Sequence, residues 1–305
     1  MKQIIFLWLL LVIGDPLHGE RPLPGDIHYL APYTLETVQL SPPAYTGTLN
    51  GTDIGEIGIL PARWHIAQWG SPQIGPALNH VGNRRDGDWQ ITNNGDLTVH
   101  AHDGILEFTE DTDDPTLGCG ESDIFTEVND PLAYPSALSG FNAPYNMRPT
   151  LADESALWLQ AEQGMSAVIQ RHRCQLGFDL ATTMIALVLL NTRTHQALFY
   201  QVMTYDSRGA FFDGFWFFTG ADGHVWGVAD SVEVLGGVSL VPKGITQLYQ
   251  LEVGKRINAL IASRFDLDHD LSHWKVAGFY GGSATNGNAR IVSTIGNIAL
   301  RGVSQ

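Results

Sequence analysis

The densest run of titratable side chains is Gly120-Glu121-Ser122-Asp123-Ile124-Phe125-Thr126-Glu127. Alternate residues of a β-strand share a face, so Glu121, Asp123 and Glu127 are expected on one side. Hydrolysis of a glycosidic bond needs two carboxyl groups, one protonated and one ionised. A third carboxylate between them holds their pKa values apart. The three are therefore candidate catalytic residues; an acidic loop beside Cys119 is the competing reading. A second acidic run, Asp266-Leu267-Asp268-His269-Asp270, alternates the oxygen ligands that calcium prefers. It makes Asp266, Asp268 and Asp270 candidate calcium ligands, without the glycine and terminal glutamate of an EF-hand. Asp111, Asp113 and Asp114 form a similar loop, and either loop also reads as a solvated turn. His100 and His102 share a strand face and offer two imidazoles, too few by themselves for a metal site.

The acidic run resembles the Glu-x-Asp-x-Glu strand of the laminarinase-like glycosidases, with a longer final spacing. That resemblance implies a concanavalin-like sandwich acting on carbohydrate. Near the C-terminus, His273-Trp274-Lys275-Val276-Ala277-Gly278-Phe279-Tyr280 resembles the lysine–glycine–tyrosine strand of alginate-lyase-type enzymes, which fold as a jelly-roll sandwich. It implies Tyr280 as proton donor, opposite a strand carrying glutamine and histidine. Tyr200-Gln201-Val202-Met203 is the matching strand, with Gln201 placed to neutralise a uronate carboxylate. Met203 stands where that family has its histidine, and one residue is inserted before Ala277. Elimination removes a proton next to a carboxylate and so needs a base; His195 and His273 are the candidates.

Aromatic residues supply the candidate substrate-binding set. Trp64 and Trp69 close the run Trp64-His65-Ile66-Ala67-Gln68-Trp69, and Tyr200 adjoins Gln201. Flat aromatic rings stack on the apolar faces of sugars, although side chains of this size also fill sandwich cores.

The elements that must position these residues are mostly short strands. Leu97, Val99 and Ala101 alternate with Thr98, His100 and His102, and Asp103-Gly104 offers a hairpin turn into Ile105–Phe108. Ala197–Tyr205, Phe215–Phe218, His224–Val228, Ser231–Leu235, Gln247–Val253, Lys275–Tyr280 and Ala289–Ile295 also read as strands. Ala181–Leu190, a long apolar run, reads as a strand buried on both faces. Ile257, Leu260, Ile261 and Arg264 fall at helical spacing, predicting a short helix between Gly254 and Phe265. A second short helix is predicted over Leu151–Gln160. Many strands without alternating helices predict an all-β fold: a two-sheet antiparallel β-sandwich, concanavalin-like or jelly roll, with one or two short helices.

Lys2 followed by the apolar run Ile4–Ile13 has the pattern of a secretory signal peptide, with the cut expected after Gly19. Residues 20–305 are then one domain, secreted to a periplasmic or extracellular space. There Cys119 and Cys174, the two cysteines of the 305-residue chain, are expected to bridge. With 17 basic against 32 acidic residues the net charge is −15. Such a surface repels phosphate backbones and makes nucleic acid an improbable partner. No apolar run, Ile4–Ile13 included, has the length of a membrane span. P-loop, dinucleotide-binding and serine-hydrolase motifs are absent. The expectation is a secreted protein that binds or cleaves a polysaccharide or glycan on a concave sheet face, with calcium as candidate cofactor. The alternative is a non-catalytic structural or adhesive envelope protein.

Overall fold

The structure, a computed structural model, describes residues 26–30, 38–40, 64–69, 79–83, 88–93, 97–112, 121–129, 141–170, 180–208, 213–220, 223–231, 235, 244–287 and 289–304. In chain order the strands are β1 (Asp26–His28), β2 (Val38–Leu40), β3 (Trp64–Trp69), β4 (Asn79–Asn83), β5 (Asp88–Asn93), β6 (Leu97–His102), β7 (Ile105–Asp111) and β8 (Glu121–Asn129). There follow β9 (Glu154–Gln170), β10 (Leu180–Asn191), β11 (Ala197–Asp206), β12 (Asp213–Gly220), β13 (Gly223–Asp230), β14 (Ile245–Glu252), β15 (Trp274–Asn286) and β16 (Ala289–Ser304). One α-helix, α1 (Gly254–Ser263), follows β14. Residues 1–19, Cys119, Cys174, Asp113 and Asp114 lie outside the described residues.

The strands form two eight-stranded sheets. The first runs β14-β9-β16-β7-β6-β5-β4, with β1 added against β16; the second runs β12-β13-β11-β10-β15-β8-β3-β2. Pairing is antiparallel except between β11 and β13 and between β2 and β3, which are parallel. The fold is the expected two-sheet sandwich of jelly-roll type, with those two parallel contacts as a departure. Among the described residues, no helix is long and apolar enough to cross a membrane.

The core follows from alternation. Leu97, Val99 and Ala101 of β6 and Leu106 and Phe108 of β7 are fully buried between the sheets. Ile185, Leu187 and Leu189 of β10 meet them from the second sheet, with Trp64, Trp274 and Phe279. Trp64 and Phe279 pack edge to face, their ring centroids 5.9 Å apart. The sheets approach closely at Gly281, where an added Cβ would come within 2.5 Å of Ile295 Cδ1. Polar ties also cross the gap: Gln163 of β9 donates to the Met184 carbonyl at 3.0 Å and accepts from Thr204 Oγ at 2.6 Å. A fully buried polar side chain is tolerated there because both ends of its amide are matched.

β10 is buried on both faces, as its long apolar run predicts. Its second face, Met184, Ala186 and Val188, belongs to a separate cluster with Met203, Ala229 and Tyr280 on the outer side of the second sheet. Two expectations are corrected. Leu151–Gln160 is not a helix: Leu151–Asp153 forms one 3-10 turn and β9 begins at Glu154. Across the segment expected as a strand over Ser231–Leu235, the Leu235 amide donates to the Ser231 carbonyl at 3.0 Å, a contact that an extended strand cannot make; residues 232–234 lie outside the described residues. The helix expected after Gly254 is α1, with Ile257 and Ile261 buried.

Candidate functional site

The outer face of the second sheet gathers a subset of the candidate residues in one cross-strand row. Register pairs Gln39 with His65, His65 with Glu127, and Glu127 with Tyr280. The row continues from Tyr280 to Ala186, from Ala186 to Gln201, and from Gln201 to Ala229 and Gly214. Neighbouring strands lie about 4.8 Å apart, so Gln201 and Tyr280 start roughly 10 Å from each other, with β10 between them. The residue between them is Ala186, whose methyl group leaves room above it. Gln201 Nε2 therefore reaches across and donates a hydrogen bond to the Tyr280 hydroxyl. Phe199, one row along β11, packs against the Tyr280 ring with centroids 6.1 Å apart. Tyr280 is 9 % exposed and Gln201 half-buried.

Tyr280 reaches this face through a β-bulge. Trp274 and Val276 point into the core, and strict alternation would send Tyr280 there too. The register between β10 and β15 shifts at this point: Leu189 pairs with Val276 and Val188 with Gly278, leaving Ala277 unpaired. The residue inserted before Ala277 is absorbed as this bulge. After it Phe279 takes the core face and Tyr280 the outer one.

The acidic run occupies β8 as expected, with Glu121, Asp123 and Glu127 at register positions opposite Asn286, Ala284 and Tyr280. Their side chains lie outside what the structure describes. The pairing of β8 with β15 shows no register shift. At about 3.3 Å per residue, Glu121 and Glu127 are then roughly 20 Å apart along the strand, and Asp123 and Glu127 about 13 Å. Retaining and inverting glycosidases hold their carboxyl groups within about 5–9.5 Å. The strand spacing separates backbone positions and not carboxyl groups; of the three acids, Glu127 is the one that shares the row of Tyr280.

Three further expectations are corrected. Trp64 and Tyr200 are fully buried between the sheets and cannot serve as sugar platforms. Tyr200 donates to Asp230 Oδ2 at 2.8 Å, and Arg256 of α1 closes on the same carboxylate with two bonds, at 2.9 and 2.6 Å. Burial, reinforced by Asp230, pushes the Tyr200 phenol far up, so it stays a donor. Trp69 stands opposite Asp123 on β3, and its side chain lies outside the described set. His195 sits in the turn joining β10 to β11, with φ of 58°. His273 sits at the start of β15, bound to Asp268 at 2.7 Å. Both lie at the end of the sheet, and neither reaches the row of Tyr280. His65 is the histidine that register puts in that row; its signal in the sequence was its phase, opposite to that of Trp64 and Ile66.

The aspartate loop is engaged internally. Asp266 pairs with Arg264 at 2.9 Å, and Asp268 accepts from Asn191 at 3.1 Å, His273 at 2.7 Å and Arg193 at 2.8 Å. Asp270 accepts from the Ser272 amide and hydroxyl at 3.0 and 2.6 Å. Burial opposes ionisation of Asp268, but bonds from His273 and Asn191 outweigh it and hold its carboxyl low. A calcium ion would have to displace Arg193 and Arg264 from these carboxylates.

No family model matches the sequence, and no curated protein matches it. The chain is similar to the family 11 xylanase from Neocallimastix patriciarum, with 8% identity over 78% of this chain and 100% of that one, at a TM-score of 0.43. It is similar to the xyloglucanase domain of a type three effector from Sinorhizobium fredii, solved with cellobiose, with 10% identity over 78% of this chain and 98% of that one, at a TM-score of 0.38. It is also similar to endoglucanase 3 of Trichoderma harzianum, from family GH12, with 8% identity over 75% of this chain and 98% of that one, at a TM-score of 0.32.

Proposed function

We propose that this protein binds a polysaccharide across the outer face of the second sheet and cleaves it by elimination, with Tyr280 as the proton-transferring group. The observation that carries the reading is the Gln201–Tyr280 hydrogen bond over Ala186, in one row with Glu127 and His65. Elimination on a uronate polymer breaks a C–H bond next to the carboxylate and the glycosidic C–O bond, and forms a C=C bond. The proton lost from carbon goes to a base, and the leaving oxygen receives one from an acid. Tyr280 is the acid in this reading. The Gln201 amide, already aimed at the phenol, is placed to bind the substrate carboxylate and favour charge build-up beside it. Glu127 and His65 are the row's candidates for the base. A polymer outside the cell accords with a leader over residues 1–19 and with a bridge between Cys119 and Cys174.

The test is a glycan array run together with assays for unsaturated uronate and for reducing ends. The expected result is binding of a uronate polymer, unsaturated product from the wild type, and at least a ~100-fold loss of turnover in Tyr280→Phe with binding retained. Unsaturated product formed equally fast by Tyr280→Phe would overturn the role of Tyr280. The pair is set among Met184, Met203, Val188 and Ala229, an apolar surround that also suits simple contact with sugar-ring faces. Binding without any product would establish that second, non-catalytic reading.

A further inference from the structure

The outer face of the first sheet, on the far side of the sandwich from Tyr280, carries a different chemistry. In β6 the fully buried positions are Leu97, Val99 and Ala101, so Thr98, His100 and His102 face outward. The two imidazoles stand side by side, their centroids 4.5 Å apart and their planes 35° from parallel. The hairpin then folds back through Asp103 and Gly104, both at positive φ, at 50° and 79°. This turn fixes the register of β7 so that Glu107 lies directly opposite His100. One ligand atom from each of His100, His102 and Glu107 lies within 4.8 Å of the other two. All three side chains are half-buried.

We infer that His100, His102 and Glu107 form a binding site for a transition-metal dication of the zinc type. Two imidazoles and one carboxylate are the ligand set that such ions accept, whereas calcium and magnesium prefer oxygen alone. Donors around a tetrahedral zinc, with bonds of about 2.0–2.1 Å, stand roughly 3.4 Å apart. Binding would draw the three donors together from a spacing of up to 4.8 Å by side-chain rotation. Three protein ligands leave a fourth position, and the half-buried setting opens it to water. Asp103 adds an outer contact: its carboxylate lies 3.4 Å from His102 Nδ1. A proton held on Nδ1 by that carboxylate leaves the Nε2 lone pair for the metal. The hairpin thus supplies two ligands from one strand, the third from the other, and the orienting carboxylate from its turn.

The full chain, stripped with chelator, should take up one equivalent of Zn2+ by isothermal titration. His100→Asn, His102→Gln and Glu107→Gln should each weaken that binding at least ~10-fold, with circular dichroism unchanged. Substituting Co2+ gives a second readout: visible absorption bands of a four-coordinate ion, lost in His102→Gln. No uptake, or uptake unaltered by the histidine substitutions, would overturn the site. Loss in the histidine variants with full binding in Glu107→Gln would overturn the three-ligand assignment.

Discussion

Tyr200 and Tyr280 carry the same side chain on the same sheet and point to opposite faces. Tyr200 is sealed between the sheets, its hydroxyl committed to Asp230 and through it to Arg256. Removing that hydroxyl leaves a buried carboxylate short of one donor, which costs about 1–3 kcal/mol. Tyr200→Phe should therefore lower stability in urea unfolding by that amount while leaving turnover per folded molecule unchanged. Tyr280→Phe should do the reverse, because its partner Gln201 is half-buried and regains water. Measuring both variants by unfolding and by product assay separates packing from chemistry. The residue types of this site were readable in the sequence; their faces were not. Tyr280 sits four residues after Val276, which alternation assigns to the core face, and only the bulge at Ala277 turns it outward.

At the level of elements, period-two patterning located β6 and β7, and apolar or aromatic runs located β10, β11, β14, β15 and β16, because each has one or both faces in the core. The segment after Thr150 misled because it contains two signals. Thr150 and Asp153 form a capping box, which usually opens a helix. Beyond it, Leu157, Leu159 and Ala161 are buried and alternate with the partly exposed Trp158, Gln160 and Glu162. That alternation holds from Leu157 to Gln163, so sheet pairing wins after one turn. The loop before β15 gives a testable case of composition against partners. Its aspartates look like calcium ligands in sequence, but Arg193, Arg264 and His273 meet them in the structure. The melting temperature should be the same in chelator and in millimolar calcium; a rise with calcium would show that the ion displaces these cations. A bridge between Cys119 and Cys174 closes a long loop, and on the chain-entropy model it stabilises by about 4 kcal/mol. Reduction should lower the melting temperature accordingly, and two free thiols in mass spectra of the unreduced protein would end that expectation.

For the whole molecule, the net charge of −15 opposes contact with a phosphate backbone. N-terminal sequencing of exported protein should read from near Glu20, and exported chains still carrying Met1 would contradict the leader. The global stability should also carry a pH signature, written by Glu154. This carboxyl, 6 % exposed, accepts a hydrogen bond from the Tyr29 hydroxyl of the segment that pairs with β16. The carboxyl packs against Gly302, where an added Cβ would clash with Glu154 Oε1. Burial pushes it up to about 7 from 4.5, with Asp153 adding to the rise and the Tyr29 bond opposing it. The folded state therefore holds this proton more tightly than the unfolded chain. Its contribution is fully present below pH 4.5 and is lost as pH rises through 7, an effect on the order of 3 kcal/mol. The opposite slope belongs to Asp153, held low by the Thr150 backbone and hydroxyl, and to Asp268, whose contributions are lost as pH falls below 3.8. Unfolding free energy should thus fall between pH 4.5 and pH 7. Glu154→Gln keeps the shape and removes the titration, so its profile over that window should be flat. A wild-type profile that rises from pH 5 to pH 7, or a variant with the same slope as wild type, would show that Glu154 is ionised without cost inside the fold.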